Sequence, residues 1–262
     1  MDETQRLIIS MKRILLLAVL LLALPVGAAA QFTYRWTPVP MDSTWDDMKD
    51  FRATQTIARY SAQVEPLQEI VGYSEDEYDR YRPESPLSNF AADVVRSVAE
   101  KITSEKVDVG LMNFGGIRSS LPKGAVRVYD IFSIFPFDNY LVTFDIKGSD
   151  LHRFLNQMIG RRRVEALSGV EMVITGNKAD KLLVGGSPID EDKIYKFATI
   201  HFLMDGGDGV VLTDVAFNRK DTGIWIRDAI CDYLRDQMAS GEKIDLHTDG
   251  RVQYTDWEER RR

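Results

Sequence analysis

Three short segments hold residues whose types and spacing suit ligand chemistry. In Asn113-Phe114-Gly115-Gly116-Ile117-Arg118, the adjacent glycines Gly115 and Gly116 let backbone N–H groups approach a ligand closely. Arg118 can grip a phosphate or carboxylate with its planar fork. The same spacing fits a tight turn carrying a solvated arginine. In Phe135-Pro136-Phe137-Asp138-Asn139, aromatics around a proline are ordinarily core; the functional alternative is that Phe137 presents its ring to a flat ligand and Asn139 supplies polar contacts. The third segment runs from Phe202 to Gly209, where Asp205 and Asp208 bracket two glycines. It reads as a plain turn, or as a loop offering Phe202 as a second ring and Asp208 as an acceptor for sugar hydroxyls. A base between two rings gains stacking worth ~1–3 kcal/mol.

The chemistry that is missing matters as much. The three histidines, His152, His201 and His247, belong to no HExxH or His-x-His pattern. There is no Gly-x-Ser-x-Gly elbow and no Gly-x-x-x-x-Gly-Lys-Ser/Thr phosphate loop. Arg161-Arg162-Arg163 is read as a solvated basic run, and the sole cysteine, Cys231, as a small buried apolar residue. The chain carries recognition parts without an evident nucleophile or metal cage.

These segments need elements to position them. Ser85-Pro86 is an N-cap followed by a first-turn proline, and Leu87, Phe90, Ala91, Val94, Val95, Val98 and Ile102 mark one helical face behind it. A strand is expected over 106–113, a short strand over 126–129, a plain connection over 130–134 and a strand over 140–146. Ser149 is expected to cap the next helix, strands to follow at 170–175 and 181–184, an alternating strand to run over 193–202, and a last helix over 222–238. A helix is also expected from Ser43 to about Pro66. Helices and strands mix without a βαβ rhythm, which argues for a single-domain α+β sandwich.

The chain has 262 residues and a net charge of −7. That acidity argues against a nucleic-acid polymer as partner. Met11-Lys12-Arg13, the apolar run Ile14 to Pro25 and the Ala28-Ala29-Ala30 end form a secretory signal peptide over 1–30, with Met11 as the expected true start. The run is too short for a membrane-spanning helix, so no stable membrane anchor is expected after cleavage. Residues 31–69 are read as an extension with a helix, 70–250 as the domain and 251–262 as a charged tail.

Together the three segments resemble the C-terminal domain of the 5′-nucleotidases, whose hallmarks are an Asn-x-Gly-Gly-Ile-Arg loop, a Pro-Phe loop and a Phe-x-x-x-Gly-Gly-Asp-Gly loop in that order. The chain matches them at Asn113–Arg118, Pro136-Phe137 and Phe202–Gly209, and it has the upstream Glu-x-x-x-x-Asn-x-x-x-Asp pattern as Glu84, Asn89 and Asp93. The resemblance covers about Ile70 to Met238. It implies a layered α/β/β/α sandwich of mixed sheets. It also implies a base held between Phe137 and Phe202, ribose on Asp208, and ribose or phosphate contacts from Asn113 and Arg118 with Gly115 and Gly116 between them. Asn139 matches a position at the ligand's polar edge, Gly169 a small residue near the base, and Arg80 or Arg82 a phosphate-binding arginine. Phe114 departs from the pattern, standing where a small residue is common.

Family enzymes also carry a two-metal phosphoesterase domain ahead of this one, and only about 40 residues of the mature chain precede the resemblance. The expectation is therefore a periplasmic or secreted substrate-recognition domain with no cofactor of its own, divalent metals belonging to a separately encoded metallophosphoesterase subunit. Its ligand is a nucleoside or nucleotide, and the alternative is a stand-alone nucleoside-binding protein without catalysis.

Overall fold

The structure, a computed structural model, describes residues 5, 10–17, 35–38 and 51–256. It divides into two compact units, Met1–Thr54 and Gln55–Arg262. Of the first, residues 10–17 are helical and exposed; most of the signal-peptide segment lies outside the described residues, as do residues 43–50 of the expected helix. Among the described residues no helix is long and apolar enough to cross a membrane. The next helix, α1, spans Phe51–Val64.

The second unit is built on a five-stranded sheet. Its strands are β2 (Val109–Met112), β4 (Tyr140–Lys147), β5 (Ala166–Ser168), β9 (Ile194–Ile200) and β10 (Ala216–Trp225), in the spatial order β10-β4-β9-β2-β5. β2 runs parallel to β9, and the other neighbours are antiparallel. A four-stranded sheet joins β6 (Val170–Thr175), β7 (Lys178–Val184), β8 (Ser187–Pro188) and β11 (Val252–Tyr254), and a small ribbon pairs β1 (Ile70–Ser74) with β3 (Gly124–Arg127). The mixed α+β class expected from the sequence is the one observed.

Helices cover both faces of the large sheet, as register and contacts show. Paired residues share a face, so Val109, Phe197 and Phe144 lie together, and Phe154 of α4 (Gly148–Gly160) packs edge-on against Phe197 at 6.1 Å. Gly110, Ala198 and Thr143 share the other face, where α2 (Pro86–Thr103) lies so close that a Cβ on Gly110 would meet the Ala92 carbonyl at 2.7 Å. α2 starts as the sequence implies: the Ser85 hydroxyl accepts from Ser88 N, Ser88 returns the bond, and Pro86 fills the first turn.

Several local expectations fail for identifiable reasons. Val128–Ile134 is a helix, α3, rather than a strand end and a connection. The Asp130 carboxylate accepts from Arg127 N at 2.7 Å to start it, and Val128, Ile131 and Ile134 go into the core at helical spacing. Ser149 does not cap α4. That helix begins at Gly148, and the carbonyls of Lys193 and Glu191 satisfy its first free N–H groups. A Cβ on Gly148 would lie 1.9 Å from the Asp190 carbonyl, so only glycine allows this approach. β10 had no clear sequence signal because its residues are largely polar and exposed at the sheet edge. The final helix, α6, is accordingly Ile226–Ala239, starting four residues later than expected. Cys231 is buried, and burial pushes its thiol up to about 11, as the inert reading requires.

Candidate functional site

One end of the large sheet gathers the chemistry. β2 and β9 are parallel, so the loops that follow them emerge at the same edge, and the antiparallel β4 and β5 begin there. Register places Leu141 opposite Ile200 and Met112 opposite Ala166. Asn113–Arg118, Phe135–Asn139, 201–209 and Glu165 thus meet along one edge.

The first and third loops are joined by a hydrogen bond. Asn113 is buried, and its Nδ2 donates to the Asp208 carboxylate at 2.6 Å. Asp208 reaches it by taking a left-handed backbone conformation (φ +53°) between Gly206 and Gly209, both also at positive φ. A Cβ on Gly116 would sit 2.5 Å from the Asn113 Oδ1 and 2.7 Å from the Met112 Cε, so Gly116 is what lets Asn113 take this position, whereas one on Gly115 would make ordinary contacts of 3.4 Å with Asn113 and Asp208. Asn113 Oδ1 is buried with no partner, an orphan acceptor at the edge.

The two phenylalanines differ from the rest of the core in being open: Phe137 is 48% exposed and Phe202 42%. Phe202 does not extend β9 but lies in α5 (His201–Met204). The His201 ring stacks on Tyr140 at 4.1 Å, which seats the Phe202 turn beside the start of β4 just past Phe137. Gly207 lies under the Phe202 ring, where a Cβ would meet Cε1 and Cζ at 2.5 Å. The Phe137 loop is held from behind: Arg227 bonds Asp138 and donates to the Pro136 carbonyl, and Asn139, buried, accepts from Ile226 N at 2.8 Å. Arg118 bridges loops one and two, donating to Gly115 O at 3.4 Å with its guanidinium 6.0 Å from the Phe137 ring centre.

Both upstream arginines reach the first loop, in different ways. Arg80 is exposed and donates to Phe114 O at 3.1 Å. Arg82 lies 4.2 Å from the Phe114 ring centre, bonds the Val164 carbonyl and pairs with Glu165 at 2.8 Å. Phe114 is buried and packs beneath Arg82, which explains a large side chain at this place.

Gly169 is not brought to this edge. It follows Ser168, which pairs with Gly110, so it lies about four residues, roughly 13 Å, from the Asn113 end of β2. Its glycine is structural: φ is +76°, and a Cβ would stand 2.1 Å from the Asp108 carbonyl. The residue at the matching end of β5 is Glu165, which sequence reading passed over because nothing local distinguishes it from a strand-flanking acid. Glu84, Asn89 and Asp93 form a separate polar cluster with residues 249–252. The Glu84 carboxylate accepts from Asn89, Asp249 N, Gly250 N and Val252 N, and Arg251 bridges Asp93 and Asp249.

Among the described residues no three His, Cys, Asp or Glu side chains come together to hold a metal ion. Glu165, the buried carboxylate at this edge, is already taken by Phe114 N and Arg82.

Comparison with known proteins agrees with this fold. Residues 67–214 match the family model described as 5′-nucleotidase, C-terminal domain, and the chain belongs to that family. Protein UshA of Yersinia enterocolitica is 28% identical over 142 residues, covering 52% of this chain and 26% of that protein. Endonuclease YhcR of Bacillus subtilis is 31% identical over 169 residues, covering 59% and 13%. The crystal structure of a 5′-nucleotidase precursor from Thermus thermophilus superposes with a TM-score of 0.67 at 25% identity, over 80% of this chain and 44% of that one. The chain thus spans about a quarter or less of these curated relatives and under half of the solved structure.

Proposed function

We propose that this domain binds the nucleoside part of a nucleotide and presents its phosphate ester to a metallophosphoesterase on a separate chain. The observation that carries the reading is the pair of half-exposed phenylalanines on neighbouring loops, beside the buried Asn113 and the left-handed Asp208. Large apolar rings left open at an edge rich in polar groups suit a ligand with a flat face and a hydroxylated side. Phe137 and Phe202 would stack the base. Asp208 would accept from ribose hydroxyls, and Asn113 and Arg118 would contact ribose or a phosphate. Export to the periplasm or medium is part of the proposal and rests on the Met11–Ala30 pattern.

Calorimetry with adenosine tests the binding half. Phe137→Ala and Phe202→Ala should each weaken it by about one to two powers of ten, the value of one stacked ring. Unchanged affinity in both variants, with the fold intact by circular dichroism, sinks the reading. Mixing the protein with a candidate metallophosphoesterase chain tests the other half: AMP hydrolysis should exceed that of either chain alone, and a partner fully active by itself argues instead for a stand-alone binder.

A further inference from the structure

Glu165 is 3% exposed, yet it sits at the edge that the nucleoside reading makes a ligand site. Its Oε2 accepts from Phe114 N at 2.7 Å, its Oε1 from Arg82 Nη2 at 2.8 Å, and Arg163 Nε stands 3.6 Å from the same oxygen. A backbone N–H of a glycine-flanked loop and a guanidinium fork are the donors a phosphate monoester would seek here. They are already occupied by an anion belonging to the chain.

We infer that Glu165 is a built-in anion that takes the donors of a phosphate, so that this edge favours an uncharged nucleoside over its 5′-monophosphate. The inference rests on the proposed nucleoside binding and names which form of the ligand is preferred. A phosphate arriving at Arg82 must displace a buried carboxylate, leaving that charge unpaired, or lie beside it with little solvent to screen the repulsion. Arg82 is not free to swing out to meet it, because it also bonds Val164 O and covers the Phe114 ring. A 5′-phosphate is left projecting from the site, which is the arrangement that delivery of the ester to a second chain requires.

The experiment is calorimetry of the full chain with adenosine and with AMP, wild type against Glu165→Gln. The amide keeps an oxygen for Phe114 N and removes the charge. Wild type should bind adenosine about tenfold tighter than AMP, and E165Q should gain about tenfold for AMP while adenosine stays within about twofold. AMP binding tighter than adenosine in wild type overturns the role of Glu165, and so does a parallel change of both ligands in E165Q. The wild-type comparison decides the matter even where E165Q does not fold. Absence of binding by both ligands removes the nucleoside reading itself, and this inference with it, an outcome distinct from adenosine binding without discrimination.

Discussion

Gly207 and Gly169 show how two glycines of the same apparent kind separate once their surroundings are known. A Cβ on Gly207 would meet the Phe202 ring and the Phe202 carbonyl at 2.5 Å, so both the ring and the local backbone would have to move. A Cβ on Gly169 would meet a strand-end carbonyl at 2.1 Å from a positive-φ backbone that side chains rarely adopt. Gly207→Ala is therefore expected to move the Phe202 ring, weakening adenosine about tenfold at a cost of about 1 kcal/mol, roughly 2–4 °C in Tm. Gly169→Ala should cost about 2 kcal/mol or more, roughly 4–8 °C in Tm, and leave adenosine affinity of the folded protein unchanged. Paired calorimetry and thermal melts check both; the same profile in both variants would mean that Gly169 belongs to the ligand edge after all. Sequence alone held the glycines and rings of the three edge loops, because those segments are contiguous. It could not separate Gly169 from Glu165, because which of them neighbours Asn113 depends on antiparallel register between two strands some fifty residues apart.

At the level of elements, α2 was the most legible because its start is written in adjacent residues. Ser85 and Ser88 exchange hydrogen bonds at its N-terminus. Ser85→Ala should cost about 1 kcal/mol, or about 2–4 °C in Tm for a unit of this size, without altering ligand affinity. A melt unchanged within error would show that the cap is satisfied by other groups. The elements that sequence reading missed lack such local signals. α3 is only seven residues and follows directly on β3, so the strand alternation of Val126-Arg127 runs on into Val128 without a break. β10 is strand-like only through its pairing with β4. The turn of helix at Phe202 interrupts a pattern that reads as uninterrupted alternation through residue 202, and its cause is tertiary: His201 stacks on Tyr140 and accepts from Tyr140 N at 3.3 Å. What was readable is what neighbouring residues determine, and the rest waits on the sheet.

At the scale of the whole unit, its last strand is bolted to the segment just ahead of α2. Glu84, just ahead of α2, accepts from the backbone of Asp249, Gly250 and Val252, and this holds β11 as the parallel edge of the four-stranded sheet. Residues 251–254, expected in a charged tail, therefore include a strand with a buried valine. Arg251 completes the clasp, bridging Asp93 at 2.7 and 3.0 Å and Asp249 at 2.7 Å. Its hydrogen bond holds the Asp249 carboxyl below its ordinary value of 3.8, against the opposing effect of partial burial. A carboxyl lowered on folding contributes stability that is fully present above its unfolded pKa and is lost as pH falls through the folded one. The clasp should therefore be intact at pH 7 and begin to weaken only as pH drops through about 4. Arg251→Ala removes the main cause of the lowering, so it should reduce Tm at pH 7 by several degrees and reduce it less at pH 3, where Asp249 is closer to protonation in both proteins. Melts of the two proteins across pH 3 to 7 measure the narrowing gap. A gap of constant size would place the contribution of Arg251 in its packing and its bond to the Leu167 carbonyl, and not in its pairing with Asp249.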